Sequence, residues 1–417
     1  MGNVIKNPRA YELKIVAIIF LTWGFVFLDR TALSYITPVL VNELGLTNGQ
    51  VGQINMWQTI GYAIAGPIIG MISDKTSIRK ALLIGAVIST SIFSAISALA
   101  TSYPLLLVVR FLVGASEGPI LPLAVTLVAS ASLSGHFGRN VGIVNAGVGV
   151  ISGTLGPTLV TQIVAWTNWH LAFVLVSIPS LILALLIWKV AHEVKPINDG
   201  KVENKKEKVS FAEILKYRNV IVSLFIGIMV MTGFWIQAAF APLYLTSVGK
   251  HSIENMGFIM SMMGIVTIIT CILVPLFSDY FGRKPGLILF SVFAALSPLG
   301  LYLFPSTAIG SGSLILFGGL FGAIAPLYMS IIPEETMPPH LKATTSALII
   351  GVGEIFGAAF VVAGAGAAAD VYGLPIVMII ATIAALLIAV IGLGLIETNP
   401  RKKKTGIESE RMKTKTI

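Results

Sequence analysis

Five ionisable side chains lie deep within long apolar stretches of this sequence, where a charge is costly unless it faces a partner or water. They are Asp29, Arg30, Arg110, Glu117 and Glu354. Arginine holds a carboxylate through forked hydrogen bonds, and a carboxylate withdrawn from water takes up a proton more readily. We therefore expect these residues to bind an organic anion together with protons at membrane depth.

The spacing of two of these residues indicates how they share a site. Arg110 and Glu117 are seven residues apart, which is about 700° of helical rotation and roughly 10 Å along the helix axis. One helix face therefore carries both, and we expect them to face the same cavity as Asp29 and Arg30. The alternative is a pair of salt bridges that only joins two helices.

The second half of the chain offers two further polar candidates. Gln237 suits the binding of substrate hydroxyl groups, although an interhelical hydrogen bond would use it equally well. Glu354 is either a second proton-carrying group or a protonated packing residue among glycines. The five His residues map to helix ends or loops and form no good ligand cluster, so we expect no metal site.

The composition of the chain indicates what surrounds these residues. Of 417 residues, 55% are hydrophobic and 11% are charged, against about a quarter charged in ordinary soluble domains. The net charge of +9 would by itself suit nucleic-acid binding, but the shortage of charged residues excludes that class together with disordered chains. A surface that faces lipid needs almost no charge, so we expect a protein that lies in a bilayer.

Twelve segments of about 20 or more mostly apolar residues follow one another along the chain, which predicts an all-α membrane protein with twelve transmembrane helices. They span roughly 14–39, 50–73, 80–100, 104–131, 140–164, 169–190, 219–247, 255–278, 285–304, 308–332, 342–369 and 374–396. The polar linker 191–218 separates six helices in 1–190 from six helices in 219–396. A basic tail occupies 397–417.

The basic residues predict how the chain is oriented in the membrane. With the N-terminus inside, all but three of the 28 Lys and Arg residues fall on the inner side. The exceptions are Arg30, Arg110 and Lys250. This bias predicts cytoplasmic termini in a cell membrane, and it explains the basic tail as a contact with anionic lipid headgroups rather than with nucleic acid.

Two short patterns recur at nearly one spacing in the two halves. The stretch 147–153, GVGVISG, returns 204 residues later as GVGEIFG at 351–357. The stretch Ile72-Ser73-Asp74 returns 205 residues later as Phe277-Ser278-Asp279. A duplicated six-helix unit places a binding site between the halves, near the middle of the membrane.

The loop between the second and third helices has a recognisable pattern. Its key residues are Gly70, Asp74, Lys75, Arg79 and Lys80. The pattern resembles the cytoplasmic signature loop of the major facilitator superfamily, with Ser77 where glycine is usual. The resemblance implies two pseudo-symmetric six-helix bundles and a loop that latches the outward-facing state. Asp279 and Arg283 belong to the second copy, in which Tyr280 replaces the basic residue, so we expect a weaker latch there.

Residues in the first, second and fourth helices narrow the resemblance. Leu28-Asp29-Arg30, Tyr62 and the stretch 110–118, RFLVGASEG, look like the anion:cation symporter branch, which includes bacterial sugar-acid and proton symporters and animal organic-anion carriers. The branch implies that Arg30 and Arg110 bind the anion and that Tyr62 lines the pocket. It also implies that Asp29 and Glu117 carry the coupling proton. Phe27 stands where the galactonate-type pattern has tyrosine, which leaves room for a more apolar acid.

These residues predict a proton-coupled importer of a small organic anion, such as a sugar acid or related monocarboxylate, that acts as a monomer without a cofactor. A proton-driven exporter is an alternative, because Gly156-Pro157 ends a glycine ladder similar to a motif of drug and proton antiporters. A membrane sensor that binds without transporting is another. No Lys or Arg occurs in 219–249 or 343–400, which disfavours phosphate esters and dicarboxylates. No nucleotide-binding loop or catalytic constellation suggests an enzyme.

Overall fold

Twelve long helices account for most of the fold. The computed structural model describes residues 7–76, 78–192 and 211–400, without the side chains of Asp74, Phe211 and Ala212. The long helices within these ranges are α1 (Pro8–Leu44), α2 (Asn48–Lys75), α3 (Arg79–Leu99), α4 (Tyr103–Ala131), α5 (Phe137–Trp166), α6 (Trp169–Val190), α7 (Arg218–Ser247), α8 (Ile253–Phe281), α9 (Arg283–Leu303), α10 (Ala308–Thr336), α11 (Lys342–Tyr372) and α12 (Pro375–Gly392). Each predicted segment corresponds to one of them, so the all-α fold is confirmed. Most of the linker 191–218 and the tail beyond 400 lie outside the described residues.

Eleven of these helices are long and apolar enough to cross a membrane, and α2 falls short of that measure. Three polar side chains of α2, those of Asn55, Gln58 and Thr59, are buried inside the protein. Residues that face other helices rather than lipid need not be apolar. The lower hydropathy of α2 therefore indicates a helix that lines the interior of the molecule.

Glycines let α2 and α4 approach closely, which sets the position of the site described below. A Cβ atom at Gly114 would overlap the carbonyl oxygen of Gln58, and one at Gly118 would overlap that of Tyr62. Small residues at such positions allow helix backbones to pack without intervening side chains. The close approach keeps Tyr62 of α2 within electrostatic range of Glu117 of α4.

We expect Gly114→Ala to destabilise the fold, because the added methyl group would overlap the backbone of α2 at Gln58. Overpacking of this kind costs about 1–3 kcal/mol, which should lower the melting temperature of the purified protein in detergent. Gly85→Ala is the matched control, since a Cβ atom at Gly85 on α3 meets nothing within 4 Å. The control should melt at or above the wild-type temperature, and wild-type melting of Gly114→Ala would contradict the packing described here.

The two halves meet along α5 and α8. Because the number of long helices is even, both ends of the chain lie on one side of the protein, here called the terminal side; the opposite side is the distal side. Toward the distal side, Thr158 Oγ1 and Ser261 Oγ form a hydrogen bond of 2.7 Å. About one turn nearer the terminal side, Gly153 packs against Gly264. Two turns nearer the terminal side, Ile272 of α8 is 60% exposed.

A second contact between the halves joins α2 to α11 on the distal side. Asp370, near the end of α11, accepts hydrogen bonds from the backbone N–H groups of Asn48 (2.7 Å) and Gly49 (2.9 Å). These groups belong to the first turn of α2, where helical N–H groups lack partners and favour a negative charge. A Cβ atom at Gly49 would lie 2.6 Å from the carboxylate, so glycine fits there. This conformation is closed on the distal side.

Both copies of the repeated glycine stretch form widened, π-helical turns. They occupy Val148–Leu155 in α5 and Gly353–Val361 in α11. Such turns are rare and occur frequently at functional sites. The repeat predicted from the sequence therefore has a structural counterpart, and Glu354 lies within the widened turn of α11.

Candidate functional site

The guanidinium group of Arg30 lies between three aromatic rings at the interface of the two halves. Its central carbon is 4.3 Å from the ring centre of Trp235, 4.9 Å from that of Tyr62 and 5.7 Å from that of Phe27. Trp235 belongs to α7 in the C-terminal half, whereas the other two rings belong to α1 and α2. Cation–π contacts reach about 2 kcal/mol when the cation is desolvated. The rings surround the cation, and its Nη2 has no hydrogen-bond partner within the described residues.

Glu117 of α4 pairs with this arginine. Arg30 Nη1 and Glu117 Oε1 are 3.6 Å apart, which is within the range of an ion pair but longer than a hydrogen bond. Both side chains are buried. Within the described residues, neither carboxylate oxygen of Glu117 nor Arg30 Nη2 has a hydrogen-bond partner. Buried polar groups in proteins are nearly always paired, so these unused groups make the pair a candidate site for a ligand or a proton.

Glu354 approaches the same pair from the C-terminal half. Its carboxyl group is within electrostatic range of Arg30 and Glu117. In the part of the chain that the structure describes, Glu354 Oε2 and the hydroxyl group of Tyr328 are buried without a hydrogen-bond partner. Five residues from five helices are called the central site below: Arg30, Tyr62, Glu117, Trp235 and Glu354. It contains one cation and two acids.

Asp29 and Arg110 lie inside the N-terminal half rather than in the central site. The carboxylate of Asp29 accepts hydrogen bonds from the hydroxyl groups of Ser94 on α3 (3.0 Å) and Ser180 on α6 (3.1 Å). Arg110 lies over the ring of Phe173, 4.5 Å from its centre. Its Nη1 donates a hydrogen bond of 3.4 Å to the backbone oxygen of Asp29. Both charged side chains are fully buried.

This arrangement differs from the expectation that all four charges of the N-terminal half face one cavity. Consecutive residues of an α-helix point about 100° apart, so Asp29 and Arg30 face different spaces. Arg110 contacts α1 and α6, whereas Glu117, two turns further along α4, reaches the interface. By direct contact the four charges therefore form two groups, although Glu117 is within electrostatic range of both Asp29 and Arg110.

Gln237 faces the interior of the C-terminal half. Its side-chain oxygen accepts a hydrogen bond of 3.1 Å from the hydroxyl group of Ser297, which joins α7 to α9. Of the two interpretations left open above, the structure shows the interhelical hydrogen bond. A role in binding substrate hydroxyl groups stays a prediction.

The sequence reasoning did not select Trp235 or Tyr328 as site residues. A signal for Trp235 was present, because it follows Arg30 by 205 residues, the spacing of the internal repeat. The two residues thus occupy related positions on α1 and α7. Tyr328 had no comparable signal, since an isolated tyrosine in an apolar helix is common.

The second copy of the predicted latch ties three helices together on the terminal side. Arg283 at the start of α9 forms ion pairs with Asp279 of α8 (2.5 Å) and with Glu335 of α10 (2.8 Å). All three helices belong to the C-terminal half. In this conformation the network therefore fixes one half internally, and its part in latching the outward-facing state stays a prediction.

The first copy lies at the turn between α2 and α3. Lys80 Nζ donates a hydrogen bond of 2.7 Å to the carbonyl oxygen of Trp188 at the end of α6. Lys75 is exposed, and Arg79 starts α3. A Cβ atom at Gly70 would meet nothing within 4 Å, so the close packing that glycine permits is not used here. The side chain of Asp74 lies outside the described residues.

Comparison with known proteins relates the chain to a family and to named relatives. The profile of the Major Facilitator Superfamily matches residues 19–359. The chain is 28% identical to the hexuronate transporter of Bacillus subtilis (strain 168) over 63% of its own length and 61% of that protein. It is 27% identical to a probable 4-methylmuconolactone transporter of Cupriavidus pinatubonensis over 93% of its length and 90% of that protein. The first match thus spans less than two thirds of the relative.

Solved structures share the fold. One is a bacterial homologue of the human lysosomal transporter Spinster, described as inward-facing and unoccupied, with a TM-score of 0.76 at 18% identity over 92% of this chain and 97% of the other. A D-xylose–proton symporter gives 0.74 at 17% identity over 94% and 99%. The family profile extends from α1 into the widened turn of α11 and includes every residue of the central site. The chain therefore belongs to the Major Facilitator Superfamily.

Proposed function

We propose that this protein is a secondary active transporter that imports a small organic anion together with protons, by alternating access between its two halves. The observation that carries the proposal is the pair of Arg30 and Glu117 at the interface. The arginine has an unpaired nitrogen, and both oxygens of the buried carboxylate lack a hydrogen-bond partner. The names of the relatives, as transporters of hexuronate and 4-methylmuconolactone, support an organic acid as the substrate.

The proposed cycle begins when Glu117 takes up a proton. The neutral acid no longer attracts Arg30, so the nitrogen edge of the guanidinium group is free to hold a carboxylate through forked hydrogen bonds. When Glu354 is also protonated, the loaded site contains one cation and one anion, and this neutral set avoids the cost of an uncompensated buried charge. Release of anion and proton on the other side restores the ion pair. Proton and substrate are coupled because both act on one guanidinium group.

The remaining acids are proposed as further proton carriers. Glu354 adds a second negative charge near Arg30, and its neutralisation would lower the repulsion that an incoming anion meets. Asp29 lies outside the central site, so we propose that it acts through α1, with Arg110, which is within electrostatic range of its carboxylate, as its counter-charge in place of direct anion binding. The energy source in this scheme is the proton gradient.

The proposed orientation places the terminal side in the cytoplasm of a cell. The bias of Lys and Arg toward that side supports it. In this orientation the contacts at Asp370 and Thr158 close the halves toward the outside.

Uptake into proteoliposomes tests the proposal. With an acidic exterior, radiolabelled glucuronate or benzoate should accumulate inside above its external concentration, and a protonophore should abolish the excess. Protein-free liposomes are measured in parallel, because neutral benzoic acid crosses lipid by itself and accumulates along the same pH gradient. Accumulation that ignores the pH gradient would contradict proton coupling, and expulsion of the same anions would favour the exporter.

A further inference from the structure

We infer that the preferred substrate carries its carboxylate on a flat, unsaturated ring, and that Trp235 is the residue that selects for this shape. The inference rests on the proposed function, because it assumes that Arg30 holds the carboxylate. It adds a choice among organic acids, between planar ring acids on one side and saturated or polyhydroxylated acids on the other.

The surroundings of Arg30 decide where a bound carboxylate can lie. Aromatic rings 4.3, 4.9 and 5.7 Å from its central carbon occupy the space above and around the flat guanidinium group. What is left is the nitrogen edge, where Nη2 has no hydrogen-bond partner within the described residues. A carboxylate bound by a fork of two hydrogen bonds lies in the plane of the guanidinium group. A carboxylate held in this way therefore lies in the plane of the guanidinium group, here called the layer, with the three aromatic rings within 6 Å of the cation.

A ring conjugated to the carboxylate continues that layer. It shares the plane of the carboxylate, so it reaches the indole of Trp235 and the phenol of Tyr62 with its face or edge, the geometries in which aromatic pairs attract. A saturated ring of the same size is thicker and carries no π-system. Phe27 adds a third wall that offers no hydroxyl group.

Hydrogen-bonding groups near the layer suit a ligand with few oxygens. Every buried hydroxyl group of a polyhydroxylated acid needs a partner, because an unpaired one costs the desolvation of that group. The oxygen of Gln237 is bonded to Ser297, whereas its Nε2 is buried without a partner in the described residues. Trp235 Nε1 and the hydroxyl group of Tyr328 are also buried without partners there. A few acceptors on the ring of the ligand would satisfy these groups.

Three ligands of equal charge separate the possibilities: benzoate, cyclohexanecarboxylate and glucuronate. Their binding to purified protein is measured by calorimetry at acidic pH, where the proposed cycle loads the site. We expect benzoate to bind about three- to tenfold more tightly than cyclohexanecarboxylate, the range expected for aromatic pairing beyond area burial. Glucuronate should bind more weakly than both.

Two variants assign the preference to Trp235. Trp235→Leu should bring benzoate and cyclohexanecarboxylate to similar affinity, whereas Trp235→Phe should keep most of the difference. Trp188→Leu is the control, since Trp188 is 61% exposed and lies on α6. If Trp235→Leu does not fold, the wild-type comparison still tests the preference for flat acids, and Trp235→Met replaces Trp235→Leu in testing the assignment to Trp235.

The outcomes distinguish failure of the preference for flat acids from failure of the proposed anion transport. Equal binding of benzoate and cyclohexanecarboxylate, or tighter binding of glucuronate, would overturn the preference for flat acids and leave the anion transporter standing. A preference that survives Trp235→Leu would overturn the assignment to Trp235. If none of the three carboxylates binds, the proposed function itself fails along with this inference.

Discussion

Glu117→Gln should reduce proton-driven accumulation of a transported anion to the level of protein-free liposomes. Glutamine keeps the size and hydrogen-bonding capacity of a protonated glutamate, but it cannot release a proton. The amide therefore leaves the nitrogen edge of Arg30 permanently available to the anion, and binding no longer depends on the gradient. We expect exchange of labelled for unlabelled anion across the liposome membrane to continue, because exchange requires only binding and the movement of the two halves.

Measuring both accumulation and exchange distinguishes loss of proton coupling from damage to the fold. A variant that loses both activities would indicate damage to the fold, which a melting curve would reveal. Glu254→Gln is the matched control, since Glu254 lies in the first turn of α8 near the distal surface, far from Arg30 in the fold. Full accumulation by Glu117→Gln would show that the coupling proton is carried elsewhere, with Asp29 and Glu354 as the next residues to substitute.

Arg30→Ala should weaken anion binding by at least about 100-fold. Removing one partner of a buried, hydrogen-bonded charge pair costs about 3–5 kcal/mol, and about 1.4 kcal/mol corresponds to a factor of ten. Arg30→Lys should have a smaller effect, roughly tenfold, because lysine keeps the charge but lacks the planar fork and the stacking surface. Calorimetric titration of the purified variants with benzoate and with glucuronate measures both effects.

A basic residue outside the central site provides the control for Arg30. Arg139 lies on α5 near the terminal side, and its side chain is 54% exposed. Arg139→Ala should bind the anions as the wild type does. Binding of wild-type strength by Arg30→Ala would remove Arg30 from the site and would return Arg110, the other buried arginine on the central helices, to the role that the family resemblance implies for it.

The helix pattern could be predicted because a helix that crosses lipid must be apolar over most of its length. A bilayer requires about 20 apolar residues per crossing, and each of the twelve predicted segments corresponds to one helix. The predicted ends of the helices are less accurate than their number: the first predicted segment is 14–39, whereas α1 spans Pro8–Leu44. Hydropathy marks the part within hydrocarbon, but the helix continues until it is capped. Here Asn7 accepts a hydrogen bond from the Ala10 N–H at one end and Gly45 adopts φ 62° at the other.

The charged residues of the site could be selected from the sequence, but not their grouping. The free-energy cost of placing a charged side chain at membrane depth is enough to select Arg30 and Glu117 from the sequence. The separation of Asp29 from Arg30 depends on which neighbouring helix each side of α1 meets, and a single sequence does not contain that information. The hydrogen-bond partner of Gln237 could not be predicted either, because only the packing of α9 against α7 brings Ser297 within hydrogen-bond distance.

Arg30 and Trp235 contact each other across the interface at positions related by the internal repeat. In a dimer of two identical six-helix chains, one residue type would occupy both positions. Two guanidinium groups at about 4 Å would repel by about 4 kcal/mol at an effective dielectric constant of 20, and two indoles would offer no cation to an anion. An arginine held against a tryptophan here requires halves that mutate independently. Duplication, which lets the two copies of the six-helix unit diverge, therefore made this arginine–tryptophan contact possible.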